Sequence, residues 1–342
     1  MTDRTDASAK FVAKSGFGGA ARVPISGDAS NRKYDRLTQG RESVILMDAP
    51  PDKGEDVRPF IRIAQHLRDI GLSAPRILAA DTEQGFLILE DLGDDLFARV
   101  LAHNGSAADL EMRLYSGAID VLNALHQAPV PRSVERYTSA LMTEVAALAF
   151  DWYLLAAHGA NPDARADFAS AMRPLLDAVD ATPDVLILRD YHAENLLWLS
   201  DRDGVAQVGL LDFQDAMAGH PAYDLVSLLQ DARRDVPAVI ERDMIDRFCT
   251  ISGRERTGFE VAYHVLGAQR NLRILGVFAR LCVRDGKIHY PDLIPRVWGH
   301  LVRDLAHPAL AAIAPLVLDV LPEPTPDTLD RIKSQCGTHR KA

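Results

Sequence analysis

Short apolar runs separated by polar turns mark the first quarter of the chain, and helical periodicity marks nearly all the rest. Between Arg22 and Glu90 the apolar positions cluster at Ser43 to Met47, Arg76 to Ala79 and Phe86 to Leu89. Runs of four or five residues bounded by turn formers predict strands. One stretch among them, Val57 to Ile70, has the 3.6-residue period of an amphipathic helix. A small sheet with a single helix is therefore expected. From Asp95 onward amphipathic helices are predicted near Ala107 to His126, Ser139 to His158, Ala164 to Ala178 and Gly258 to Val283. Three further apolar runs interrupt them at Val185 to Leu188, Leu196 to Leu199 and Val208 to Leu211. These read as small strands whose polar ends sit on loops held by rigid elements, where catalytic groups tend to be found.

Composition narrows the function classes. With 342 residues, 47% apolar and 25% charged, the chain can bury one large or two smaller cores. A net charge of -10 argues against nucleic acid as a partner, because binding a polyanion relies on basic patches. Uninterrupted apolar stretches such as Val145 to Phe150 fall short of the roughly 20 residues of a membrane-spanning helix. The start, Met1 to Lys10, is too polar for a secretory signal, so a cytoplasmic protein without a membrane partner is expected. The three cysteines, Cys249, Cys282 and Cys336, are too far apart for a metal knuckle and read as reduced thiols.

Candidate chemistry concentrates in Leu188 to Leu199, LRDYHAENLLWL, where Asp190 and Asn195 stand in the spacing D-x-x-x-x-N. Phosphoryl transfer needs a carboxylate that orients or deprotonates the acceptor hydroxyl, with oxygen ligands nearby for the magnesium that offsets phosphate charge. Seventeen residues beyond Asn195, Asp212 ends an apolar run in GLLDFQDA and supplies a second hard ligand. The Asp, Asn and Asp–Phe pattern follows the kinase signature, with Leu188 and Gln214 in place of its outer His and Gly.

Over Leu188 to Leu229, the segments LRDYHAENLL and LLDFQDAMAGHPAYDLVSLL resemble the aminoglycoside-phosphotransferase and choline-kinase superfamily. The resemblance implies an α+β, bilobal, protein-kinase-like fold. Residues 1–91 would form a small β-rich nucleotide-binding lobe, and residues 92–342 a larger, mostly helical catalytic and substrate-binding lobe. It further implies ATP and Mg2+ as cofactors, Asp190 as catalytic base, and Asn195 and Asp212 on the metal. Glu90 and Leu92, in FLILEDLG, resemble the hinge that meets adenine. Asp224, in HPAYDL, matches an aspartate that braces the catalytic loop, or caps a helix beginning near Leu225. His192 is expected to support the loop structurally.

One departure stands out. Where kinase-like sites carry a strand lysine paired with a helix glutamate, SVILMDAPP has Met47, and PFIRIAQHLRDIGL has no glutamate. Arg32 and Lys33, in SGDASNRKYDRL, are the candidate replacement cations, with Asp28 and Ser30 shaping the turn before them. Two solvated charges at a sheet edge is the competing reading. The spacing G-x-G-x-x-A at Gly16, Gly18 and Ala21 lacks a preceding strand and a following helix, so a loop is expected there.

Few residues separate Asp212 from His220, leaving no room for a peptide-binding segment, so the acceptor is expected to be small. GDASNRKY, MDAPP, GAQRNLRILGVFARL and RDGKIHYPDLIPRV look like the anomeric sugar kinases for N-acetylmuramate and N-acetylglucosamine, which act in cell-wall recycling. A kinase for another small alcohol or an aminoglycoside is the near alternative. An inactive nucleotide-binding module, suggested by the missing lysine, is the remote one. Arg270, Arg273 and Arg280 recur along a largely apolar helix. They either pair with core carboxylates or meet the sugar and its lactyl carboxylate. Trp152 and Tyr153 either offer an aromatic face to the sugar ring or belong to the core.

Overall fold

The structure, a computed structural model, describes residues 4–25, 31–103, 108–182 and 184–339. Two compact units emerge, one of residues 1–125 with 193–216, the other of residues 126–192 with 217–342. The architecture is α+β, a small antiparallel sheet followed by a mostly helical remainder.

In the first unit five antiparallel strands lie in the order β1-β2-β3-β5-β4. They are β1 (Ala21–Ile25), β2 (Lys33–Gln39), β3 (Glu42–Asp48), β4 (Ile77–Asp81) and β5 (Phe86–Glu90). Alternation explains the register. Leu37, Val44, Leu46, Phe86 and Ile88 all face one apolar cluster, completed by Phe11, Val12 and Phe17. The last three come from a helix, Arg4–Lys14, and the turn after it; Arg4 stacks over the Phe86 ring and donates to Asp48 at 2.6 Å. Pattern reading missed this helix because Phe11 and Val12 are its only large apolar buried residues, too few to set a 3.6-residue period. Gly16 and Gly18 fall in the loop that follows, as expected.

Two more strands belong to this unit, β7 (Leu196–Trp198) and β8 (Val208–Leu210), paired antiparallel with Leu196 opposite Leu210. The pair is tied to the preceding chain by Trp198 N–H donating to Asp95 O at 2.8 Å and Leu210 N–H to Ser73 O at 2.9 Å. Phe213 stacks on Phe60 of the helix Arg58–Asp69, ring centroids 4.8 Å apart. The hairpin ends are thereby held on rigid supports.

The second unit carries β6 (Val185–Ile187) and β9 (Met217–Gly219) among helices. Helix starts follow side-chain chemistry. Asn161 accepts from Ala164 N–H ahead of Pro162–Asp180, and Glu255 accepts from Thr257 and Gly258 N–H ahead of Arg256–Val283. The segment Ser139–Ala157 is long and apolar enough to cross a membrane by length and composition, and 56% of it is buried inside the protein, as in a core helix. It joins two α-helical pieces through a π-helical turn, Ala149–Leu154. The single sequence runs were shorter than this because Thr143, Glu144 and Asp151 interrupt them.

The long helix Arg256–Val283 presses on that turn. A Cβ built at Gly276 would stand 2.2 Å from the Leu148 carbonyl carbon. Backbone cannot retreat as a side chain can, so Gly276→Ala is expected to destabilise the protein by about 3 kcal/mol, at the upper end of overpacking costs. Chemical denaturation would read this as a lowered midpoint at unchanged slope.

Candidate active site

In the first unit the β7–β8 pair brings Asn195 and Asp212 to one end. Asn195 precedes β7 and Asp212 follows β8 by two residues, and Leu211 N–H donates to Asn195 O at 3.0 Å. Antiparallel pairing thus closes the 17-residue gap in sequence. Asp212 has φ 55°, a left-handed conformation that, apart from glycine, mainly asparagine and aspartate adopt. Its side chain remains 48% exposed, so the carboxylate can reach a ligand. Buried Phe213 anchors the residue after it, and Gln214 Nε2 donates to Asp212 Oδ1 at 2.8 Å.

Arg32 approaches the same carboxylate, Nη1 lying 3.7 Å from Asp212 Oδ1, while its Nε donates to Glu55 Oε2 at 2.8 Å. Burial opposes the guanidinium charge, yet the phenol of Tyr34 and the carboxylates of Glu55 and Asp212 outweigh it and raise the Arg32 pKa. Burial pushes the Tyr34 hydroxyl up to about 12, so it stays protonated. Lys33 is exposed, the first residue of β2, opposite Asp48 in register. Met47, where a lysine was missing, is buried in β3. Asp28 and Ser30 lie outside the described residues.

Glu90 ends β5, with its carboxylate 3.0 Å from Arg202, 3.3 Å from Arg76 and 3.8 Å from Arg68. Its backbone N–H donates to Arg76 O at 2.8 Å. Leu92 lies two residues on, its side chain near Gly209 of β8.

In the second unit, Asp190 follows β6 on a backbone gripped from below. Buried Asp224 accepts from Leu188 N–H at 2.6 Å and from Arg189 N–H at 2.8 Å. Ser227, one helical turn later, donates to Arg189 O at 3.2 Å and accepts from Arg270 Nη2 at 2.8 Å. Arg189 has φ 71°, so the turn just before Asp190 is strained and held in place by these bonds. Asp224 lies inside the helix Ala222–Leu229 and Pro221 takes the cap position; Asp224 braces the loop and does not cap the helix. Burial raises the Asp224 carboxyl to about 7 despite its two N–H donors.

Burial would also raise Asp190, but Arg273 first, then His192, Arg189 and Arg270, reverse the sign and hold its carboxyl below the usual range. Arg273 donates to the Tyr223 hydroxyl at 3.4 Å. Burial pushes His192 down to about 4, so the ring is neutral near pH 7; its Nε2 stands 3.5 Å from Arg233 Nη1. A neutral, buried imidazole suits support of the loop. Arg270 and Arg273 gather around Asp190, whereas Arg280 lies among Arg284, Asp285 and Arg273. Trp152 sits half-buried in the π-helical turn, and Tyr153 is core, its hydroxyl donating to Pro322 O at 2.6 Å.

Glu55 and Ser227 escaped sequence reading. A signal for Ser227 existed, because it stands three residues after Asp224 on the same helix face. Glu55 precedes its helix instead of lying in it, so a search of the helix alone passes it by. Asp224→Ala would orphan two buried N–H groups, at a cost of about 2–5 kcal/mol, and release the turn carrying Asp190. Thermal unfolding should show the loss; Ser227→Ala, removing weaker bonds, should cost less.

The donor set at the hairpin end consists of hard oxygens, one carboxylate and one amide, which fits magnesium held jointly with phosphates. Among the described residues no three His, Cys, Asp or Glu side chains gather as a metal cage. The sequence pattern of the phosphotransferase enzyme family matches residues 22–259. The chain belongs to this family. The phosphotransferase is 41% identical to the N-acetylmuramate/N-acetylglucosamine kinase of Caulobacter vibrioides, with 91% of this chain and 95% of the relative covered. It is 35% identical to the enzyme of the same name from Pseudomonas aeruginosa, over 87% and 88% of the two chains. Its fold is protein-kinase-like, shared with ADP-bound aminoglycoside phosphotransferase APH(2'')-Ib at TM-score 0.59, 14% identity, and 91% and 99% coverage. Choline kinase LicA from Streptococcus pneumoniae has the same fold at TM-score 0.61, 12% identity, and 87% and 98% coverage.

Proposed function

We propose that this phosphotransferase transfers the terminal phosphate of ATP to the anomeric C1 hydroxyl of N-acetylmuramate and N-acetylglucosamine, in the cytoplasm, as a step of peptidoglycan recycling. The observation carrying the substrate is the likeness to kinases so named, which extends over 91% of this chain and is not confined to the catalytic motifs. Residues 1–91 would hold the nucleotide, and residues 92–342 the acceptor and the catalytic base.

In this reading Asp190 accepts the proton of the attacking hydroxyl. A carboxylate kept ionised by neighbouring arginines is ready at neutral pH, and its main task is to orient the oxygen in line with the phosphorus. Asn195 and Asp212 hold magnesium, which when bound offsets charge on the phosphate oxygens. Glu90 and Leu92 offer backbone groups to adenine. Arg270 and Arg273 set the charge around Asp190 and favour an acceptor bearing a carboxylate; Arg280 and Trp152 lie further along the same helical unit and would touch the outer part of a sugar.

Purified protein with ATP and Mg2+ should be offered N-acetylmuramate, N-acetylglucosamine, choline and an aminoglycoside. Phosphorus NMR distinguishes a sugar 1-phosphate from a phosphate elsewhere on the ring. Turnover with both amino sugars, yielding 1-phosphates, is the expected result. Turnover confined to choline or the aminoglycoside would overturn the substrate, and no turnover with any acceptor would favour the inactive module.

A further inference from the structure

The geometry points to Arg32 and Glu55 as the ion pair that holds the nucleotide phosphates, replacing the strand lysine and helix glutamate this chain lacks. The inference rests on the reading of the chain as an ATP-dependent kinase and adds a residue, Glu55, and a location to it.

Three observations carry it. Arg32 bridges two carboxylates, Glu55 at 2.8 Å and Asp212 at 3.7 Å, and so stands beside a proposed metal ligand, where the phosphates would lie. Both members are shielded, with 13% and 12% of their side chains exposed, while Asp212 is open at 48%. Glu55 also uses its other oxygen, Oε1, to accept from Asn31 N–H at 3.2 Å, and Asn31 Nδ2 donates to Lys53 O at 3.3 Å. One carboxylate therefore fixes both the backbone leading into Arg32 and the guanidinium itself. Gly54, in a left-handed conformation at φ 83°, turns the chain so that Glu55 faces this segment.

Two other arginines of the sheet are bound to carboxylates away from Asp212, Arg22 to Asp35 and Arg36 to Asp91 and Asp94, while Lys33 is exposed. An arginine suits the task. Its fixed fork can keep one edge on Glu55 while another nitrogen reaches a phosphate oxygen, which a lysine's single ammonium does less well. Glu55 does not touch phosphate in this arrangement; it is a positioning residue that acts through Arg32.

Isothermal titration of the full chain with magnesium and the non-hydrolysable β,γ-imido analogue of ATP, and separately with adenosine, tests the assignment without turnover. Arg32→Gln should weaken the triphosphate about 10- to 100-fold, the range of a lost charge-assisted hydrogen bond, and leave adenosine within about twofold. Glu55→Gln should weaken the triphosphate about fivefold alone, and the double variant should be no worse than Arg32→Gln, because Glu55 acts through its partner. Adenosine binding also certifies that each variant is folded; if Arg32→Gln does not fold, Arg32→Lys and Glu55→Gln carry the same comparison. Triphosphate affinity within about twofold of the parent, or equal losses for adenosine, would overturn the pair while leaving the kinase reading intact. A parent chain that binds no triphosphate would overturn both.

Discussion

Asp190→Asn is expected to lower kcat by about 10²- to 10⁴-fold, the usual share of general acid-base catalysis, with nucleotide affinity unchanged. The substitution keeps size and most hydrogen-bonding geometry and removes the charge. Arg273, His192, Arg189 and Arg270 hold the Asp190 carboxyl below its ordinary range, so the parent base is ionised throughout neutral pH. The sign follows directly. Activity depends on the deprotonated form and should fall only on acidification below the ordinary carboxylate range, whereas a base raised by burial would already fail near neutrality. An asparagine variant with near-parental turnover would assign the base elsewhere. Arg273→Gln offers the companion measurement. Removing the foremost cation acting on Asp190 should shift the acidic limb of the pH profile of kcat/KM upward in pH.

Sequence showed the polar residues of the site better than it showed their supports. Asp190, Asn195 and Asp212, proposed for these roles because phosphoryl transfer demands particular functional groups at particular loop positions, each follow or precede a short apolar run that the structure forms as a strand. That a strand would end in a carboxylate beside the loop of Asn195 was expected, and the antiparallel pairing of Leu196–Trp198 with Val208–Leu210 is what places Asp212 there. The left-handed backbone at Arg189 and Asp212 was not expected. Nothing in the local composition around Arg189 or Asp212 announces a positive φ, because both conformations are imposed by distant bonds: Asp224 and Ser227 on one, the packing of Phe213 on Phe60 next to the other.

The arginines illustrate a different blindness. Periodicity revealed that Arg270, Arg273 and Arg280 lie on a mostly buried helix, which left open whether they face core carboxylates or a ligand. The structure divides them: Arg270 reaches Ser227 and Arg273 reaches Tyr223, both beside Asp190, while Arg280 lies with Arg284 and Asp285. The pairing depends on a second helix, Ala222–Leu229, far earlier in the chain, and helical period alone cannot select that neighbour. Likewise the short helix Arg4–Lys14 was hidden because its burial comes from a sheet face that closes over Phe11 and Val12.

Asp212→Ala should reduce kcat/KM by about 10³-fold or more, the several kcal/mol that a bound metal supplies to a phosphoryl-transfer transition state. Two effects combine. Loss of the carboxylate removes the harder of the two oxygen donors at the hairpin end, so half-saturation should need far more magnesium. Alanine also keeps the left-handed strain of φ 55° without the short polar side chain that eases it, at a cost of roughly 1 kcal/mol. Asp212→Asn separates the two, because asparagine tolerates that conformation while donating only a neutral amide oxygen to the metal. If metal binding is the role, the Asp212→Asn protein should fold with parental stability and still require much higher magnesium. Added manganese, which accepts nitrogen and neutral oxygen donors more readily, should recover part of the rate. A magnesium titration superimposable on the parent's, in a variant of parental stability, would move the metal away from Asp212 and with it the role given to Asn195 across the hairpin.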